Sequence, residues 1–257
     1  MCESCRQRSD RGAVLRLVEQ CLSGLGVLRP EHCRAKGGAP KAATKAAVVN
    51  FQSIYAALEE ALASDLHEEG GVVAWDDYGL KAAAAEFERS LEAELIRAME
   101  EAIDAGLADV AQDLHQPDIV FTKMDPAIVG NLEAQSVSLC AKTAARVHGD
   151  IQAQLLEAQR LGENMHQAME RIKSISSLSD YEIERICRTE LAKAANAARL
   201  DGYKGRVDQV EWVLGPAYNG NCACGDLAGE YSVEDAQRLQ MPLHPNCDCY
   251  WVAVVNL

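Results

Sequence analysis

Asn221-Cys222-Ala223-Cys224-Gly225-Asp226-Leu227-Ala228-Gly229 and, after a short polar-rich insert, His244-Pro245-Asn246-Cys247-Asp248-Cys249 form the stretch around which the chain is organised. Two cysteines face a histidine-cysteine-cysteine cluster across that insert. Thiolate and imidazole are the donors that Zn²⁺ prefers, and four of them close a tetrahedral site. A segment this small cannot bury a core unaided, so an ion would supply the missing stability. Cys222, Cys224, His244, Cys247 and Cys249 are five candidates for four positions, and the spacing does not choose among them. The alternative is a set of reduced, partly buried thiols with no ion.

The chemistry expected of such an ion is structural. A catalytic zinc keeps one position open and works beside a general base. Zinc deaminases place a Glu two residues after a ligand His and follow with Cys-x-x-Cys. Here the residue two after His244 is Asn246, and no such pair follows. A metallohydrolase would need an open coordination position. There is no Gly-rich phosphate loop, nucleophile elbow or paired-carboxylate motif, so the expectation is a protein that is not an enzyme.

Upstream of the clip the chain reads as helix. Of its 257 residues 48% are hydrophobic but only 5% aromatic, which favours helices packed through small and aliphatic side chains over a sandwich or barrel. From about Lys41 to Ser64, Phe51, Ile54, Tyr55, Leu58 and Leu62 share one face until Gly70-Gly71 breaks the pattern. Asp77 to Leu114 repeats Phe87, Leu91, Leu95, Ala98, Met99 and Ile103 at three- and four-residue spacing, opposite a Glu-rich face. Asp125-Pro126 is a helix start, and Gly162 stops that helix. Met165, Met169 and Ile172 mark a short helix with methionines for packing. Ser179-x-x-Glu182 is a capping box with Leu178 and Ile183 as its staple, opening a helix that buries Ile183, Ile186, Cys187, Leu191, Ala194 and Ala198. Then the period changes. Val210, Trp212 and Leu214 alternate as a strand, and Tyr250 to Val255 is an apolar closing strand expected to pair with it.

The fold class expected is therefore mainly α, with long helices and a small C-terminal α+β zinc-stabilised module. Three regions follow: a helical N-terminal interaction region over 1–115, a further helical part over 116–204, and the metal-binding module over 205–257. No run of eighteen apolar residues suggests a membrane span, and Met1-Cys2-Glu3-Ser4-Cys5-Arg6 lacks the apolar core of a signal peptide. Ten cysteines in such a chain point to metal ligands or buried thiols rather than to a disulfide framework. Cys2, Cys5, Cys21 and Cys33 could form a second site, although Cys21 also fits a buried helical position. Net charge is −14, unevenly spread: residues 1–50 carry nine Lys/Arg against four Asp/Glu, and 51–115 carry three against sixteen. The acidic balance argues against general nucleic-acid coating, while the basic start leaves a DNA-binding arm as a second reading.

From about Asp125 onward, the order of features resembles the Mu-F-like minor head proteins of tailed phages, the head-morphogenesis family. Carrying the resemblance are Arg188-Thr189-Glu190 on a capped helix, then Asn196 and Tyr203, a strand at Trp212, a cysteine pair with Leu227-x-Gly229, and His244-Pro245-Asn246-Cys247-x-Cys249. The family spaces its first cysteines as Cys-x-x-Cys, whereas here Asn221 stands at the first position and Cys222 one residue later, so the local turn must differ. The resemblance implies a low-copy structural component of the phage head, assembled in the host cytoplasm and carried in the virion. Its partners would be the portal protein and the scaffold or major capsid protein, and DNA in the second reading; no membrane and no small-molecule substrate is implied. Arg188 or Glu190 is expected to tie the long helix to the clip, the two pointing to different faces.

Overall fold

The computed structural model describes residues 38–116, 124–176, 179–216, 218 and 220–255. Cys2, Cys5, Cys21, Cys33 and Leu178 lie outside the described residues, as does most of the basic start, and the side chain of Ser179 is likewise not described.

Helices dominate the described residues: α1 (Lys41–Asp65), α2 (Asp77–Asp113), α3 (Pro126–Leu161), α4 (Met165–Ser176) and α5 (Ser179–Tyr203). The three- and four-residue periods become buried faces. Phe51, Tyr55, Leu58 and Leu62 of α1 pack on α2, where Tyr55 and Phe87 meet edge-to-face at 4.7 Å. Ala98 and Ala102 of α2 and Ala194, Ala195 and Ala198 of α5 are all fully buried, so the alanine-rich, aromatic-poor composition is spent on close helix approach. Helices on both sides of residue 115 contribute to this one core. Asp125 caps α3 by accepting the Ala127 N–H at 2.8 Å with Pro126 in the first turn, and Gly162 ends the helix. In α4, Ile172 is buried and Met169 packs against the core, but Met165 is exposed; its packing role is not realised.

Gly70-Gly71 does more than end α1. Both residues have positive φ (63° and 84°) and turn a short hairpin between β1 (His67–Glu69) and β2 (Val72–Ala74). Val73 is its buried residue, and its N–H donates to the Glu163 carbonyl at 2.8 Å between α3 and α4.

After α5 comes a three-stranded antiparallel sheet in the order β4 (Gly229–Ser232), β3 (Gln209–Val213), β5 (Tyr250–Ala253). The expected pairing of the Trp212 strand with the closing strand is present, with Trp212 opposite Trp251 and their rings edge-to-face at 5.2 Å. β4 was not expected from the sequence. Between β3 and β5 the chain also forms a 3₁₀ turn (Ala223–Leu227) and the one-turn helix α6 (Val233–Ala236). A second core gathers Trp212, Trp251, Val210, Cys224, Cys247 and Cys249 against Val110 of α2 and Leu200 and Tyr203 of α5. The protein is thus mainly helical with a small C-terminal strand region.

Candidate metal centre

The two cysteine-bearing loops converge beside α5. The donor atoms of Cys222, Cys224 and His244 lie within 4.8 Å of one another, and so do those of Cys224, Cys247 and Cys249. Cys224 belongs to both groups and is the hub. Its Sγ is 3.3 Å from His244 Nε2 and 3.6 Å from Cys247 Sγ. Tetrahedral zinc with Zn–S near 2.3 Å and Zn–N near 2.0 Å would separate its donors by ~3.5–3.8 Å, and both edges come within about 0.2 Å of the ideal S–N and S–S separations. All five residues singled out in the sequence are close enough to hold a metal ion. Cys224, Cys247 and Cys249 are buried; Cys222 and His244 are half-buried.

Local structure explains the histidine loop. His244-Pro245-Asn246-Cys247 is a β-turn closed by Cys247 N–H on the His244 carbonyl at 3.2 Å. Pro245 supplies the fixed φ at the first central position, and Asn246 takes the left-handed φ of 60° at the second, which few side chains other than Asn tolerate. His244 Nδ1 lies 2.9 Å from the Pro245 carbonyl, which makes Nδ1 the protonated nitrogen and leaves Nε2 with its lone pair facing Cys224.

The sulfurs are presented as acceptors. Cys222 accepts the Cys224 N–H, Cys247 those of Cys249 and Leu243, and Cys249 that of Gly215. The Cys224 N–H is the main cause holding the Cys222 thiol low. The Cys249 thiol, with the two N–H donors, holds Cys247 down to about 5, whereas burial pushes Cys224 up to about 12 and the neighbouring Cys247 sulfur raises Cys249. His244 is raised, first by its Pro245 carbonyl. Thiolates this close together cannot all ionise unless a cation supplies the compensating charge. Cys140 and Cys187 differ: both are buried in the helical core, pushed up to about 12 chiefly by burial, and belong to no group of three or more donors among the described residues.

Helix α5 holds the loops; Arg188 bears on them through its charge near Asp248, and the hydrogen bonds come from other residues. Arg188 is exposed and paired with Glu184 at 2.6 Å; Glu190 is buried and paired with Lys193 at 2.7 Å. The residue between them makes the tie. Thr189 Oγ1 donates to the Arg185 carbonyl at 2.6 Å and accepts the Asn246 N–H at 3.2 Å, fixing the turn that carries His244 and Cys247. Asn196, two turns on, donates Nδ2–H to the Cys249 carbonyl at 3.2 Å and accepts the Trp251 N–H at 3.3 Å. Arg199, 3% exposed, donates to Asn196 Oδ1 at 2.9 Å and to Asp109 of α2 at 2.5 Å. Tyr203 donates to the buried Asp113 carboxylate. The motif residues Thr189, Asn196, Tyr203 and Trp212 therefore meet in the walls of the clip.

Four further residues, which no site motif marks, contribute. Gly215 lies so close to Asp248 that an added Cβ would stand 1.9 Å from its carbonyl oxygen, and only glycine lets the chain after β3 reach Cys249. Gly38, far away in the chain, donates its N–H to Asp248 Oδ1 at 3.1 Å and to the Asp248 carbonyl oxygen at 3.2 Å. A Cβ at Gly38 would meet the Cys249 carbonyl at 2.7 Å. Asp109 and Asp113 anchor α5 from α2, and their spacing on an acidic helix looks like that of any solvated carboxylate.

Comparison with protein-family models, with curated proteins and with solved structures gives no match. No helix among the described residues is long and apolar enough to cross a membrane.

Proposed function

We propose that this chain is a structural minor head protein of a tailed phage, and that its C-terminal module is closed by one zinc ion and acts as a rigid folded end. What carries the reading is a convergence: motif residues scattered from Thr189 to Cys249 bond to one another around a single cluster of donors. Cys222, Cys224, His244, Cys247 and Cys249 would supply the ligands. Three buried sulfurs and a surplus donor favour a closed structural site over one that keeps a position for water or substrate. Bound there, the ion would supply charge compensation for the thiolates and a cross-link between two loops. The chain's own residues do the rest: Thr189 and Asn196 orient the ligand loops, and Arg199 and Tyr203 dock them to α2.

The helical part would then carry the contacts with the portal and the scaffold or major capsid protein. Two experiments test the proposal separately. Elemental analysis of purified protein addresses the ion. Co-expression with portal and scaffold proteins encoded by neighbouring reading frames addresses the assignment: a stable complex is expected, and a neighbourhood without head genes would remove it.

A further inference from the structure

Five donors around a four-coordinate ion leave one sulfur or imidazole unbound yet adjacent, and only one of the four thiols is open to solvent. Cys222 is half-buried, while Cys224, Cys247 and Cys249 are buried. Cys224 lies within 4.8 Å of every other donor and shares with Cys222 a loop with a single residue between them. Attack by a small oxidant therefore begins at Cys222, and the thiol placed to answer it is Cys224.

We propose that Cys222 and Cys224 are a peroxide-modification site, whose oxidation to a disulfide dismantles the clip. This rests on the metal reading above for its consequence but not for its thiol chemistry. The Cys222 thiolate attacks one oxygen of hydrogen peroxide, the O–O bond breaks, and the departing hydroxide takes up a proton to become water, leaving a sulfenic acid. Cys224 Sγ then attacks the Cys222 sulfur, giving up its proton or its bond to zinc; the S–O bond breaks and the hydroxide leaves as water. The two sulfurs lose two electrons and peroxide gains them; counted from the two thiols, one peroxide gives one disulfide and two waters. Of the five donors only His244, Cys247 and Cys249 remain, one short of a closed tetrahedral set. With the ion gone, the Cys247–Cys249 loop is no longer cross-linked, and that loop is the one that grips Gly38 at the approach to α1.

The chain offers a clean readout, because trypsin cuts after Arg238 and separates the two halves of the site: Val207–Arg238 carries Cys222 and Cys224, and Leu239–Leu257 carries Cys247 and Cys249. Full-length zinc-loaded protein is treated with hydrogen peroxide, free zinc is followed with a chromogenic chelator, and the chain is alkylated and digested without reductant. Expected are zinc release and a Val207–Arg238 peptide lighter by two hydrogens, both reversed by dithiothreitol and fresh zinc. A disulfide joining the two peptides, or zinc release with no disulfide, overturns the proposal. Cys222→Ser still has four donors, and its zinc release per bound ion should be at least about tenfold slower; an unchanged rate counts against the proposal. If untreated wild-type protein holds no zinc, the metal reading fails, and the mass of the oxidised Val207–Arg238 peptide still decides the thiol chemistry.

Discussion

Replacing Asn196 by Ala removes no candidate ligand, yet it should loosen the metal centre more than any surface change. The side chain is 1% exposed and satisfies three groups: the Cys249 carbonyl at 3.2 Å, the Trp251 N–H at 3.3 Å and the Arg199 guanidinium at 2.9 Å. Alanine leaves two buried backbone groups without those partners, each costing about 1–3 kcal/mol. Arg199 keeps Asp109, so its loss is the smaller one. The expected total is roughly 3–5 kcal/mol. Trp212 and Trp251 lie in the second core whereas Trp75 packs against the helical one, so tryptophan fluorescence in a Trp75→Phe background, followed through a urea titration, reports on this region. The midpoint should fall with the slope unchanged, and competition with a chelator should show weaker zinc binding. A loss under about 1 kcal/mol with unaltered zinc affinity would refute the idea that Asn196 braces the Cys249 loop.

Other perturbations follow from the same geometry. Cys224→Ser removes the donor common to both groups and should abolish zinc binding while circular dichroism still shows the helices; retained zinc would contradict the hub role. Gly215→Ala drives a methyl into the Asp248 backbone and should cost about 1–3 kcal/mol or more in the same urea titration. Chelator treatment of wild-type protein should release the fluorescence signal of the C-terminal core before the helical signal changes; simultaneous loss of both would argue against a locally clipped module. Alkaline pH tests the buried phenols. Burial raises Tyr55 to about 12, and Tyr203 is raised well above its ordinary value by burial and by Asp113. Both therefore stabilise fully below pH ~10, and the contribution is lost as pH rises through the folded-state values, about 2–3 kcal/mol for Tyr55 between pH 10 and 12. Tyr55→Phe should flatten that fall.

How much of this was legible depended on how local the signal was. Helices announced themselves because Phe51-Tyr55-Leu58-Leu62 or Leu91-Leu95-Ala98 repeats a period that only one face of a helix satisfies. The β1–β2 hairpin did not, since three-residue strands with His67 and Glu68 exposed show no alternation beyond the Gly-Gly turn. β4 was hidden in the polar insert for the same reason, with no fully buried residue in its four. Donor residues could be named from type and spacing alone, because metal chemistry restricts the choice to a few side chains. Their supports could not. Gly38 meets Asp248 across 210 positions and Arg199 meets Asp109 across 90, and neither pair leaves a local pattern. Thr189 was overshadowed by its charged neighbours: Arg188 and Glu190 form ion pairs within their own helix, and Arg188 reaches the clip through its charge near Asp248, while Thr189 makes the hydrogen bond.

The central claim is that sulfur and imidazole from two loops share one ion. X-ray absorption at the zinc edge on purified, full-length protein, combined with elemental analysis, tests it most directly. The account predicts about one zinc per chain with a sulfur-dominated shell near 2.3 Å and at most one nitrogen near 2.0 Å. Metal-free protein in which Trp212 and Trp251 remain buried and unfold cooperatively would contradict it.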